Sequence, residues 1–131
     1  IAALYWAFKL RTSAPEAISL QRSIDLSRAD IVDVVDAFER FRDSGDAEAI
    51  ADRTLQRPEL NNPNSTDPDI ESFYIQLATA RRFLQRLDIH LMSASTTEEL
   101  ESLLAITDKR AFELNQSWIK ARRAAVRFKR G

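Results

Sequence analysis

Apolar residues recur along this chain at alternating spacings of three and four, most regularly in its second half. Ile70, Phe73, Leu77, Ala80, Leu84, Leu87 and Leu91 form one such row, which puts them on a single face of an α-helix and makes a heptad seam. Leu100, Leu104, Thr107, Ala111, Leu114, Trp118, Ala121, Ala125 and Phe128 form a second. An earlier, looser stripe of Ile18, Ile24, Ile31, Val34, Val35, Phe38 and Phe41 predicts a helix over about 14–43, with Ser27 as an alternative start inside it.

The polar residues between these rows mark where helices begin and end. Ser13 and Glu16 have capping-box spacing with Pro15 in the first turn, and Thr96 with Glu99 repeats the box before the last row. Gly45 stands where a left-handed C-cap would end the first helix. Asp46 is expected to cap a short helix through about Gln56 that carries Ile50 and Leu55 inward. The turn-rich run from Pro58 to Pro68 reads as a surface loop, with Asp67 or Thr66 capping the next helix. The fold class predicted is an all-α antiparallel helical bundle of three long helices and one short helix, the last two long ones forming a coiled-coil-like hairpin. The long helices would extend about 45, 39 and 50 Å in chain order at 1.5 Å per residue.

Residues 1–8 (Ile-Ala-Ala-Leu-Tyr-Trp-Ala-Phe) leave no polar face, and Lys9 and Arg11 follow them. Residues 1–12 are therefore set apart, as an apolar arm packed on the bundle or as the end of a membrane anchor, from a bundle domain over 13–131. A start at isoleucine favours the anchor, with further apolar sequence expected upstream. The octet itself is far shorter than the ~20 residues needed to cross a bilayer.

Composition then removes most chemistry. Two glycines, one of them terminal, exclude a Walker loop or a dinucleotide fingerprint, whose backbones need several within a few residues. The absence of cysteine excludes thiolate chemistry and disulfides. No cofactor, metal site or catalytic residue is expected. Asp30, Asp33 and Asp36 read as a solvated acidic face, because a di-metal carboxylate bundle would need Glu-x-x-His pairs and His90 is the sole histidine. His90 reads as a helix-end residue, and Arg81, Arg82 and Arg86 as partners in solvated salt bridges. Arginine-rich, alanine-rich composition is taken as a bacterial signature.

Charge is balanced overall, 19 basic residues against 20 acidic, but unevenly placed. Residues 46–69 hold six acidic side chains and two basic ones. Residues 117–131 carry Lys120, Arg122, Arg123, Arg127, Lys129 and Arg130 and no acid. If the short helix and its loop return the chain to its starting side, the last helix ends beside the first residues. Tyr5, Trp6, Phe8, Lys9 and Arg11 would then join Phe128 and the six C-terminal cations in one membrane or partner contact surface.

The function expected is a non-enzymatic helical interaction or scaffold domain of a bacterial, membrane-tethered protein, on the cytoplasmic face by the positive-inside tendency. Its partners would be a protein, or a second copy through helical faces, and an anionic membrane surface. The alternatives are a ligand-sensing bundle or small all-α enzyme with an inter-helix pocket involving Arg81, His90 and Glu113, and a nucleic-acid-binding domain. The slight net acidity disfavours nucleic acid.

Overall fold

The computed structural model describes the backbone of residues 2–130 and the side chains of residues 15–128. It is an all-α bundle of three long helices, α1 (Ala2–Asp43), α3 (Pro68–Ser93) and α4 (Thr97–Arg130), with a short α2 (Ala47–Ala51) between the first two of these. A π-helical turn, Asp52–Gln56, and a 3-10 turn, Pro58–Asn61, follow α2.

Cap chemistry sets three of the helix starts as expected. Asp46 accepts from the Glu48 amide at 3.0 Å, and Asp67 accepts from the amides of Asp69 and Ile70 at 2.9 and 3.3 Å. At α4, Thr96 Oγ1 accepts from the Glu99 amide at 3.1 Å while the Glu99 carboxylate accepts from Ser95 N at 2.9 Å. Each cap satisfies amides that the helix itself leaves without partners.

The start of α1 differs. It is one helix through Ser13, Pro15 and Ser27, so neither serine opens it. Its inward row is Ala17, Leu20, Ile24, Ile31, Val34, Phe38 and Phe41, and Ile18, expected inside, is 53% exposed. Three-four spacing back from Ile24 falls on Leu20 and Ala17, which turns Ile18 outward.

The end of α1 differs too. No described residue has positive φ, so Gly45 is not a left-handed cap. The terminal carbonyls are met by a guanidinium instead: Arg53 Nη1 donates to Ser44 O at 2.7 Å and Phe41 O at 3.3 Å. A cation at a helix C-terminus satisfies its free acceptors and opposes its dipole.

Ile50 and Leu55, expected to point inward, are 41% and 64% exposed. Leu60, in the stretch read as a surface loop, is fully buried. It enters the core that holds Ala121, Ala124 and Ala125 of α4, whose small side chains leave it room. Tyr74 of α3 donates its hydroxyl to Leu60 O at 2.7 Å and fixes the turn from the other side.

That pinning decides the topology. Ser27 donates to Asp108, and the Phe38 ring lies 6.3 Å from Trp118, so advancing along α1 also advances along α4. The two helices run parallel. Arg28 pairs with Asp88 while Phe38 stacks 5.4 Å from Phe73, so α3 runs against α1; Leu87 shares a cluster with Leu100, so it also runs against α4. The chain goes up, down and up. Because the segment after α1 stays at the end where α1 finishes, α4 also finishes there. Arg122, Arg123 and Arg127 therefore lie toward the pole where α1 ends, while the expected contact of Tyr5, Trp6, Phe8, Lys9 and Arg11 with the C-terminal cations falls outside the residues whose side chains are described.

The core has two parts. Near the α3–α4 turn, Ile24, Leu87, Leu100 and Leu103 make an aliphatic cluster. Toward the other pole Phe38 and Phe73 are buried at the centre, with Tyr74 and Trp118 set edge-on or tilted against them at 5.1–6.3 Å. Burying the Phe38 and Phe73 rings contributes about 1.5–3 kcal/mol each. Between the clusters Thr107 is buried without cost to its hydroxyl, which donates to Leu103 O at 2.7 Å.

Candidate functional site: an arginine-lined pole

The segment from Asp52 to Leu60 does more than close the bundle. Arg57 follows the π-helical turn, whose last amide bond, Arg57 N to Asp52 O at 2.6 Å, curls it back over α2. Asp52 then uses both carboxylate oxygens, accepting from Arg57 Nη1 at 2.7 Å and from Arg122 Nη1 of α4 at 3.3 Å. One carboxylate thereby fixes two guanidiniums from distant parts of the sequence. Arg122 also lies over the Trp118 ring, 5.1 Å from its centroid. Arg127 reaches Asp69 in the first turn of α3 at 3.3 Å.

These contacts surround an open cleft of about 460 Å³ lined by Arg57, Ile119, Arg122, Arg123, Val126 and Arg127. Its lining holds four cationic side chains and no carboxylate. Asp52 and Asp69 hold three of the arginines without themselves lining it. Arg123 is exposed and makes no ion pair with another described residue. Arg57 Nε is buried and without a hydrogen-bond partner.

Of the contact residues expected from the sequence, Arg122, Arg123 and Arg127 converge here. Lys120 lines another cleft, between α3 and α4, with Asp69, Phe112 and Glu113. Phe128 is 47% exposed and does not line the arginine cleft. Tyr5, Trp6, Phe8, Lys9, Arg11, Lys129 and Arg130 lie outside the residues whose side chains are described. Arg57 and Asp52 were missed because they belong to the acid-rich run 46–69, Asp52 within the expected short helix and Arg57 just before the expected loop. The signal for Arg57 was a cation in that acidic run, five residues after an aspartate.

The other candidates separate. Asp30 and Asp33 line a cleft of about 640 Å³ between α1 and α4 with Asp108, Phe112, Asn115 and Trp118, and Asp36 is exposed outside it. Among the described residues no carboxylate or histidine cluster could hold a metal ion. His90 lines a third cleft with Ser93, Glu98 and Glu99, but the Ser93 hydroxyl donates to the carbonyls of Ile89 and His90, and Glu99 is taken up in the α4 cap. Neither is a nucleophile aligned on the imidazole. The pocket drawn from Arg81, His90 and Glu113 does not form: Arg81 pairs with Glu39 at 3.3 Å, and Glu113 lines a different cleft from His90.

Three groups near the arginine pole have shifted pKa values, the Arg42 guanidinium being raised chiefly by its hydrogen bond to Asp43. Burial pushes the Tyr74 phenol up, partly offset by the Arg42 charge. The hydrogen bond from Arg42 holds the exposed Asp43 carboxyl below its usual range. No described helix is long and apolar enough to cross a membrane. No protein-family model, curated protein or solved structure matches this chain.

Proposed function

We propose that this chain is a non-enzymatic helical interaction domain that docks its arginine-lined pole on an anionic membrane surface. The observation that carries this reading is the convergence of Arg57, Arg122, Arg123 and Arg127 on one open cleft with no carboxylate in its lining. Long side chains held by Asp52 and Asp69 lose less freedom on binding than free ones. Each basic residue close to an anionic leaflet adds about 1 kcal/mol of attraction.

The bacterial, membrane-tethered setting belongs to the same proposal but has a separate support. The tether rests on the sequence of Tyr5, Trp6, Phe8, Lys9 and Arg11, and the bacterial source on the arginine-rich, alanine-rich composition. The tether lies in residues whose side chains are not described, so it stands as a separate proposal from the docking pole.

Flotation with phosphatidylserine vesicles tests the pole, comparing the chain with its Arg122→Glu/Arg123→Glu/Arg127→Glu variant and using circular dichroism to check that both are folded. The chain should float and the folded variant should not. Equal flotation of the two, or none by either, would contradict the docking role.

A ligand-sensing reading has one observation in its favour, the cleft of about 640 Å³ between α1 and α4, whose aromatic and acidic lining suits an organic cation. It predicts a melting temperature that rises with such a ligand and is indifferent to the arginine variants.

A further inference from the structure

Resting on the reading of the arginine pole as a recognition surface, we infer that its cleft is a discrete site for a phosphate monoester. Diffuse attraction to an anionic surface requires only cations in the right region. The structure offers more than that.

Arg57 and Arg122 are set side by side by the two oxygens of a single carboxylate, at 2.7 and 3.3 Å. Planar guanidinium forks match the spacing of phosphate oxygens, and fixing them beforehand favours a compact, multiply charged anion over a spread of single charges. Arg123 lines the cleft, is exposed, and has no ion pair with another described residue. The fold thus leaves donor capacity at this cleft unused. Four guanidiniums set against Asp52 and Asp69 leave two positive charges, which a monoester dianion neutralises and a diester monoanion does not.

The cleft is also roomier and less polar than a bare inorganic ion requires. Ile119 and Val126 form part of its wall in a volume of about 460 Å³, which suits an organic group carried next to the phosphate. The α4 C-terminus would repel an anion, but that effect fades within the last turn, and Arg122 and Arg123 lie about two turns before it. The chemistry shared by a phosphatidate headgroup and a soluble phosphate monoester is what the site recognises.

Trp118 provides a reporter, because Arg122 stacks on its ring. With Trp6→Phe introduced to leave Trp118 as the remaining tryptophan, inorganic phosphate is titrated against chloride at matched ionic strength, and flotation is compared on phosphatidic acid and phosphatidylserine vesicles of equal surface charge. A saturable, phosphate-specific change in Trp118 emission is expected, about tenfold weaker in Arg123→Gln, the loss of one charged hydrogen-bonding partner, with unchanged melting temperature. Arg57→Gln should weaken it in the same way, and its melting temperature shows whether the loss of its Asp52 pair matters to folding.

Preference for phosphatidic acid would identify the lipid headgroup as the source; a saturable phosphate response without that preference would identify a soluble monoester. Phosphate binding without flotation on either vesicle would support the site while contradicting the membrane-docking role. Flotation on phosphatidylserine, with neither a phosphate-specific response nor a preference for phosphatidic acid, would overturn the site and leave the docking role standing.

Discussion

The two poles of this bundle are closed in opposite ways. At one, α3 turns into α4 across Ala94–Thr96, and the turn is held by its own neighbours, Thr96 and Glu99, above an aliphatic cluster. At the other, α1 reaches α3 through a long irregular segment held by remote partners: Tyr74 on Leu60, Arg53 on the end of α1, and Asp52 on Arg122. A locally closed end needs little chemistry. An end tied by long-range polar contacts carries fixed charges, and there the arginine-lined cleft forms.

Core truncation offers the largest contrast between the poles. Phe38→Ala, at the centre of the aromatic cluster, should cost about 4 kcal/mol in chemical denaturation, and Leu87→Ala in the aliphatic cluster about 3 kcal/mol. A smaller loss at Phe38 than at Leu87 would show that the aromatic pole is not the better packed one.

Alkaline pH should weaken the arginine pole selectively. Burial raises the Tyr74 phenol pKa in the folded chain, so above about pH 10, the ordinary tyrosine value, the unfolded chain gives up this proton first. Its contribution is full below that pH and falls as pH rises toward the folded value. Melting temperatures at pH 9 and 11 should therefore drop further for the unmodified chain than for Tyr74→Phe. The variant itself should lose about 1 kcal/mol at neutral pH with its hydrogen bond to Leu60 O.

The smallest effect is expected at Gly45. Its φ is not positive and nothing lies within 4 Å of where a Cβ would be, so Gly45→Ala should stabilise the chain by about 0.5 kcal/mol through its unfolded state. Destabilisation on thermal melting would mean that α1 ends in a left-handed turn after all.

Most of what is decided within a few residues was legible in the sequence, the capping-box spacing of Ser13 and Glu16 inside α1 being an exception. Asp46, Asp67, and Thr96 with Glu99 cap where their spacing says, and the α3 row from Ile70 to Leu87 faces the core at nearly every position. Gly45 was misread because a glycine after a helix permits a left-handed cap without requiring one, and Arg53 supplies the cap from outside the local sequence. Leu60 gave no periodic signal, being one apolar residue among Pro, Glu and Asn, yet its burial holds the segment at the far pole. From that anchoring follow the parallel course of α1 and α4 and the place of Arg57 beside the α4 arginines. Arg122, Arg123 and Arg127 could be named from composition, but their pairing with Arg57 through Asp52 depends on chain return, which no short spacing encodes.

The direction of α4 relative to α1 is the claim on which the site depends, and a spin-label distance measures it directly. The chain has no cysteine, so Gln21→Cys and Arg123→Cys give two exposed and unique labelling positions, one on each helix. With α1 and α4 parallel and Ser27 level with Asp108, the labels should be separated by roughly 30 Å or more at 1.5 Å per residue. A distance below about 20 Å, which a helix 10–12 Å across allows for side-by-side ends, would mean that α4 returns to the start of α1 and that the arginine pole has been placed at the wrong end.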